Sequence, residues 1–404
     1  MRFGNLKHTG REFCNLGDQL QLIAMDLIYE RMGISKSNLF YIDKNELLDY
    51  KGENIILPIN MPLADIYDIS EISPNITPVF LGLSMQKSYL TDNEIRYLKK
   101  FEPIGCRNYK TYSVIHSYGI KSYLGGCVTV TFPLRAPQML SAPKVYIVDA
   151  SEELMAHVPV SIRENAIYLS HKVWLSPGTP VNVKELAWER YELYKRSAGL
   201  VITSLLHCAV PCLAAGIPVV FAKDTLSYRF GFCDKLVKIY EKDEYSNVDW
   251  APASVYFEDL KELVYQVVSN RLNHNQCESD ILKLHNFYMD YDRKDYPFDF
   301  WPEIQQYLLT HWTDHSYPYE YAIWGLCELG VETIHYIKRE YPNAVLRHIY
   351  DKYRAKTFEN IRSSYPDEIT NDDETVLVMI PGAHEEAQKL FKKIGKNKET
   401  YFFI

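Results

Sequence analysis

Short runs of apolar and β-branched residues alternate with longer helical patterns along most of this chain, and that alternation constrains the fold more than any other feature. In the first half, residues 55–59 (IILPI), 78–83 (PVFLGL) and 127–131 (CVTVT) read as strands, with helices predicted over 18–32 and near 92–101. Leu20, Ile23, Ala24, Leu27 and Ile28 share one face of the first helix. A second set of strands is predicted at 144–149, 166–169, 199–203 and 218–221, followed by a helix over 257–270. Strands separated by helices need crossover connections, so the pattern predicts an α/β fold on mostly parallel sheets.

The stretch TFPLRAPQMLSAP (131–143), with three prolines and no periodicity, reads as the boundary between the sets. It gives an N-terminal α/β domain over 1–138 and a second over 139–275, facing each other across a cleft. In open parallel sheets a ligand lies beyond the C-terminal ends of the strands. Residues 276–330 are rich in aromatics and His and read as a linker with helices packing back onto a domain. Over 331–404 we expect a long helix, its pattern running through 319–364, and then an incomplete βαβ unit built on TVLVMIPGA (375–383) and TYFFI (400–404). One such unit is too little to bury both faces of a sheet. Its strands therefore extend an existing sheet, pair with another chain to give an oligomer, or belong to a third domain that continues past residue 404.

Composition narrows the function classes. The 404 residues carry 44 Lys+Arg against 52 Asp+Glu, a net charge of −8, with 47% hydrophobic residues. That balance excludes a disordered chain and argues against nucleic acid as a partner, so any anionic ligand must be met by a few local cations or helix N-termini. No apolar run approaches the ~18–20 residues of a membrane span. The expected location is cytoplasmic, with peripheral contact at the inner face of the membrane left open. Eight cysteines are scattered singly, with Cys208 and Cys212 one helical turn apart, and read as buried thiols in a reducing compartment. His311 and His315 would share a face if their segment is helical, but no further ligands accompany them, and no metal site is expected.

Four segments could carry chemistry. Asn15-Leu16-Gly17-Asp18 precedes the first helix, with Gly17 permitting a tight turn and Asp18 a good N-cap. In residues 103–111 (PIGCRNYKT) a short strand would end at Arg107 with Asn108 as N-cap, aiming the guanidinium and backbone N–H groups into the cleft as an anion site. In residues 200–221 an apolar strand runs into Thr203-Ser204, either of which would cap a helix rich in small residues, with His207 in its first turn. Arg229, in SYRFG (227–231), could reach the same cleft. Each has a plainer reading, as a helix start, a surface Arg or a structural His. There is no P-loop, no G-x-G-x-x-G, no G-x-S-x-G and no H-E-x-x-H.

In order, these segments resemble the polysaccharide pyruvyl transferase family. Its N-x-G-D matches Asn15 to Asp18, running on into Gln19-Leu20-Gln21. Its G-C-R-D-x-x-T matches Gly105 to Thr111, followed by Gly119-Ile120 and a G-C-L-T-L-T strand at Gly126 to Thr131. Its T-S-R-L-H and G-x-P-V-V match Thr203 to Phe221. The resemblance spans residues 1 to about 270. It implies a GT-B-like fold of two Rossmann-like domains around a cleft, and transfer of pyruvate from phosphoenolpyruvate onto two hydroxyls of a sugar as a ketal. It also implies His207 as the general acid/base, Arg107, Arg229, Thr203 and Ser204 on the donor side, and Asn15, Gly17 and Asp18 on the acceptor side. Phosphoenolpyruvate would be a co-substrate with no separate cofactor, and the partner a sugar or lipid-linked glycan acceptor.

Two positions depart from the family pattern, Leu205 for Arg and Asn108 for Asp. A donor-phosphate site without one guanidinium lacks a charge-assisted contact worth about 1.5–3 kcal/mol, which Arg229, Lys172 or Lys223 would have to replace. The departures keep two alternatives open: a GT-B-type glycosyltransferase using a nucleotide sugar, or a non-catalytic glycan- or protein-binding member.

Overall fold

The structure is a computed structural model. It describes all residues except 1, 8–12, 64, 65, 67, 137–141, 175–181, 290–300, 353–356, 359 and 373, and the side chains of 13, 301, 302 and 381. Contacts divide the chain into two compact units. The first comprises Met1–Pro62, Ser70–Ser84 and Ile95–Tyr296, the second Leu63–Ile69, Met85–Glu94 and Pro297–Ile404.

The N-terminal part runs through β1 (Arg2–Lys7), β2 (Phe13–Asn15), α1 (Leu16–Arg31), β3 (Leu39–Asp43), β4 (Ile55–Ile59), β5 (Ile76–Phe80), α2 (Asp92–Lys100), β6 (Ile104–Cys106), α3 (Tyr109–Ser117) and β7 (Ser122–Leu124). β3, β1, β4 and β5 form a parallel sheet in that order, and β6 pairs with β7, also in parallel. Every residue of β4 is buried, which is why IILPI reads as a continuous apolar run rather than an alternating one. Each buried Ile there contributes about 1.5–3 kcal/mol.

Next come β8 (Lys144–Val148), α4 (Glu152–His157), α5 (Val160–Arg163), β9 (Ile167–Leu169), β10 (Lys172–Trp174), α6 (Val183–Ser197), β11 (Ala198–Thr203), α7 (Leu206–Ala214), β12 (Val219–Ala222), β13 (Ile239–Tyr240), α8 (Glu258–Leu272) and α9 (Glu278–Met289). Their parallel sheet has the order β13-β12-β11-β8-β9. The expected α/β architecture on parallel sheets is thus present. Both sheets belong to one compact unit, tied by the antiparallel pair β2–β10 and by a single core shared by α1, α6, α7, α8 and α9. The expected boundary at 138/139 falls outside the described residues.

Two local expectations fail here. Residues 127–131 are not a strand, because pairing ends where Gly125 N donates to Cys106 O, and Gly126, at φ +64°, turns the chain away. Val128–Thr131 then closes into a 3-10 turn, with Thr131 Oγ1 donating to Val128 O. Residues 276–330 are not one linker either, since α9 packs in the first unit while α10 (Trp301–His311) belongs to the second.

The second unit continues with β14 (Glu320–Trp324), α11 (Glu328–Glu340), β15 (Val345–Tyr350), β16 (Thr357–Phe358), β17 (Ile361–Arg362), β18 (Thr375–Val378), α12 (His384–Ile394) and β19 (Tyr401–Phe403). The long helix expected over 319–364 is therefore wrong, whereas the βαβ unit expected over 375–404 is present as β18, α12 and β19 and is not an isolated one. The strands at 375 and 401 join β14 and β15 in a four-stranded parallel sheet of order β15-β14-β18-β19. Along β14, Tyr321 and Ile323 pack into one cluster with α10 and α11, while Ala322 and Trp324 pack into another with α12, so both faces are covered. Gly325, at φ +104°, makes the turn between β14 and α11. At Gly330 a Cβ would stand 2.3 Å from Gly325 O, so the helix can press this closely only on a glycine. His311 ends α10, and His315 lies beyond it with Nδ1 at 2.7 Å from Glu340 O, so the two histidines share no helical face.

Candidate active site

The start of α1 is set by Asn15, not by Asp18 as expected. Asn15 Oδ1 accepts from Gly17 N at 2.9 Å, satisfying one of the helix's unpaired donors. Gly17 lies inside the first turn, and what requires a glycine there is close approach rather than a turn. A Cβ at 17 would stand 2.9 Å from His207 Cβ. The first turns of α1 and α7 therefore meet nearly backbone to backbone.

Arg107 follows β6, and Asn108 caps α3 as expected, its Oδ1 accepting from Thr111 N at 2.9 Å. The Asn108 amide also donates to Ser84 Oγ at 3.1 Å, so the residue that departs from the family Asp serves as acceptor and donor at once. Arg107 does not open into solvent. It is 2% exposed, and Nη2 donates to Gln21 Oε1 at 2.6 Å and to Asn60 O, while the buried Nε has no partner among the described residues.

Gln21 links this guanidinium to His207. Because its Oε1 accepts a hydrogen bond from Arg107 Nη2, its Nε2 faces His207 Nδ1, at 3.3 Å, and also lies 3.4 Å from Asp18 Oδ1. The network therefore assigns the acceptor role to His207 Nδ1 and the proton to Nε2, which lies 3.9 Å from Cys127 Sγ. Burial, and then the charges of Arg107, Arg229 and His171, hold the His207 pKa well below the usual histidine range. The imidazole is therefore neutral at physiological pH, the form that can accept a proton, although the same burial and charges weaken it as a base.

Thr203 and Ser204 do not cap α7. The cap position is Leu205, which offers no side-chain acceptor. Thr203 Oγ1 donates to Val148 O at 2.8 Å and accepts from Leu205 N at 3.1 Å, binding β11 to β8. The Ser204 hydroxyl is buried and has no partner among the described residues. Arg229 lies half-buried in the 3-10 turn Tyr228–Cys233, where its charge acts on both Arg107 and His207.

The expected residues thus fall into two groups. Asn15, Gly17, Asp18, Arg107 and His207 gather around Gln21, with the Arg229 charge acting on them. Ser204 instead lines a cavity of about 290 Å³ together with Asp149, Ala150, Ser151, Lys172, Leu205, Lys223 and Asp224. That cavity lies beyond the C-terminal ends of β8, β11 and β12, where a parallel sheet places its ligand. A larger cavity, about 380 Å³, lies beside α1 and α6, where Lys184 Nζ pairs with Asp26 Oδ2 at 2.5 Å. None of the expected residues lines it, whereas Ser204 lines the smaller one. Gln21, Asn60 and Cys127 were not singled out from the sequence. Gln21 falls in the Gln19-Leu20-Gln21 run and Cys127 in the Gly126 to Thr131 match, but neither motif marks them as site residues.

Among the described residues, no cluster of three or more His, Cys, Asp or Glu side chains is placed to hold a metal ion, and no helix is long and apolar enough to cross a membrane. A family model described as polysaccharide pyruvyl transferase matches residues 15–222. No curated protein matches the chain. Among solved structures, one described as a UDP-N-acetylglucosamine 2-epimerase from Listeria monocytogenes is 8% identical, with 78% of this chain and 98% of that chain covered at a TM-score of 0.31.

Proposed function

The chain belongs to the polysaccharide pyruvyl transferase family, and from that premise we propose that it transfers pyruvate from phosphoenolpyruvate to a sugar of a capsular or cell-surface glycan precursor, forming a ketal. The observation that best supports this reading is the constellation around Gln21, which holds a neutral imidazole beside a buried guanidinium. The oxygen of a first sugar hydroxyl adds to C2 of the donor, and the proton that this hydroxyl loses is balanced by the one that C3 takes up. The C2–O bond to phosphate then breaks, with the electron pair leaving on phosphate. A second hydroxyl attacks C2 and gives up its proton, which leaves with the phosphate. Neutral His207 accepts a hydroxyl proton at Nδ1, the nitrogen that Gln21 Nε2 now faces. Arg107 holds Gln21, and with Arg229 favours the negative charge that builds on the donor.

In this reading phosphoenolpyruvate is a co-substrate with no further cofactor. The acceptor is a sugar or lipid-linked precursor met in the cytoplasm or at the inner face of the membrane. Phosphate release from phosphoenolpyruvate should require a sugar acceptor and should be lost in His207→Ala. Release that is independent of acceptor, or that survives His207→Ala, would count against it.

One observation favours a second reading, a GT-B-type glycosyltransferase using a nucleotide sugar. Leu205, in place of the family arginine, lines the cavity at the strand ends. A thermal-shift panel separates the two readings, since stabilisation by a nucleotide sugar and not by phosphoenolpyruvate selects the second.

A further inference from the structure

We propose that Lys172 and Lys223 hold the phosphate of a compact phosphate ester in the cavity at the end of β11, replacing the arginine that this chain lacks at position 205. The identity of that ester as phosphoenolpyruvate rests on the function proposed above, whereas the site itself stands on its own geometry.

The groups lining the cavity divide by what they still have to offer. Asp149 Oδ1 accepts from Ser170 Oγ and its Oδ2 from His171 N, both at 2.7 Å. Asp224 Oδ1 accepts from Ser151 Oγ and from Tyr245 OH, both at 2.6 Å. Burial raises the Asp224 pKa, but these two donors and the charges of Lys223 and Lys242 outweigh it and keep the carboxylate ionised. Both acids and Ser151 are therefore engaged by protein partners.

Apart from Asp224 Oδ2, for which the described residues supply no hydrogen bond, what remains is donor. Among the described residues neither the Lys172 nor the Lys223 ammonium is engaged in an ion pair or a hydrogen bond. The Ser204 hydroxyl is buried without a partner among the described residues, and Ser204 as a residue is 7% exposed. The nine-residue helix α7 begins at Leu206, and no side chain caps its first turn. A helix start without a cap, an unspent hydroxyl and two unpaired ammonium groups around one cavity suit an acceptor-rich dianion.

Size narrows the ligand. At about 290 Å³ the cavity stands at the small end of the ~300–1,000 Å³ typical of organic ligand sites. It suits a three-carbon phosphate ester better than a nucleotide sugar. Leu205 forms apolar wall where the family places a guanidinium, and the lysines supply charge from β10 and from the residue after β12.

The test is equilibrium binding of phosphoenolpyruvate, inorganic phosphate and a nucleoside diphosphate to the full chain, to Lys172→Ala/Lys223→Ala, and to that double variant carrying Leu205→Arg. Ligand-free melting of each protein checks its folding. The wild type should bind phosphoenolpyruvate and phosphate, the double variant at least tenfold more weakly, and Leu205→Arg should recover most of the loss. Equal binding by wild type and double variant overturns the assignment of the lysines and leaves the proposed function standing. Phosphate binding that is lost in the double variant, with phosphoenolpyruvate bound no better than phosphate, keeps the site and counts against the proposed donor. A nucleoside diphosphate preferred over both, or no anion bound by the wild type, overturns the proposal.

Discussion

A Cβ placed on Gly17 would lie 2.9 Å from the Cβ of His207. Neither atom is the far end of a flexible side chain, so the two helix starts have no slack between them. The contact sets His207 against Gln21 on one side and Cys127 on the other.

Gly17→Ala tests that contact with opposed signs. Helix propensity alone favours Ala over Gly by about 0.5–1 kcal/mol. Overpacking against His207 should instead destabilise the protein by about 1–3 kcal/mol. A urea midpoint that rises would contradict the close approach.

The depressed pKa of His207 makes stability depend on pH. In the unfolded chain an ordinary histidine takes up a proton below about pH 6.5, whereas the buried ring stays neutral well below that. The unfolded state therefore binds the extra proton, and stability is full above about pH 6.5 and falls as pH drops toward the folded-state pKa. The slope from this one group approaches about 1.4 kcal/mol per pH unit. His285, which burial also depresses, adds to it. Denaturation of wild type and His207→Gln between pH 4.5 and 7.5, a range chosen around the ~6.5 reference value, should give a shallower slope for the variant. Identical slopes would place the His207 ring in contact with solvent.

In the second unit, Lys87 and Glu94 form an ion pair at 2.6 Å with side chains 1% and 0% exposed. The carboxylate also accepts from the backbone N–H groups of Ile69 and Thr91. Lys87→Met should cost about 3–5 kcal/mol, because it leaves a buried carboxylate without its counter-charge. A loss below ~1 kcal/mol would mean that water reaches Glu94, since exposed pairs contribute that little.

How much could be read in advance depended on whether the deciding contact was local. Residues 55–59 and 199–203 are buried strands whose β-branched runs declare themselves. EYAIW (320–324) is equally buried, but it stands next to a strongly periodic helix, and its pattern merges with the helix unless Gly325 is taken as a break. Residues 127–131 carry strand chemistry, and only the left-handed Gly126 diverts them. At the site, position gave His207, Arg107 and Asn15, but not their state. The bond from Arg107 to Gln21 joins residues 86 apart, and the contact of Gln21 with His207 joins residues 186 apart. Such separations leave no local pattern. Without them Arg107 reads as an open anion contact when it is committed to the interior.

The most direct test of the central claim is to follow isotope-labelled phosphoenolpyruvate into product across a panel of sugar and lipid-linked glycan acceptors. The account predicts label in an acid-labile ketal on one acceptor, phosphate released in equal amount, and neither product from His207→Ala. Folded wild-type protein that leaves the label in phosphoenolpyruvate with every acceptor, while transferring a sugar from a nucleotide donor, would contradict it.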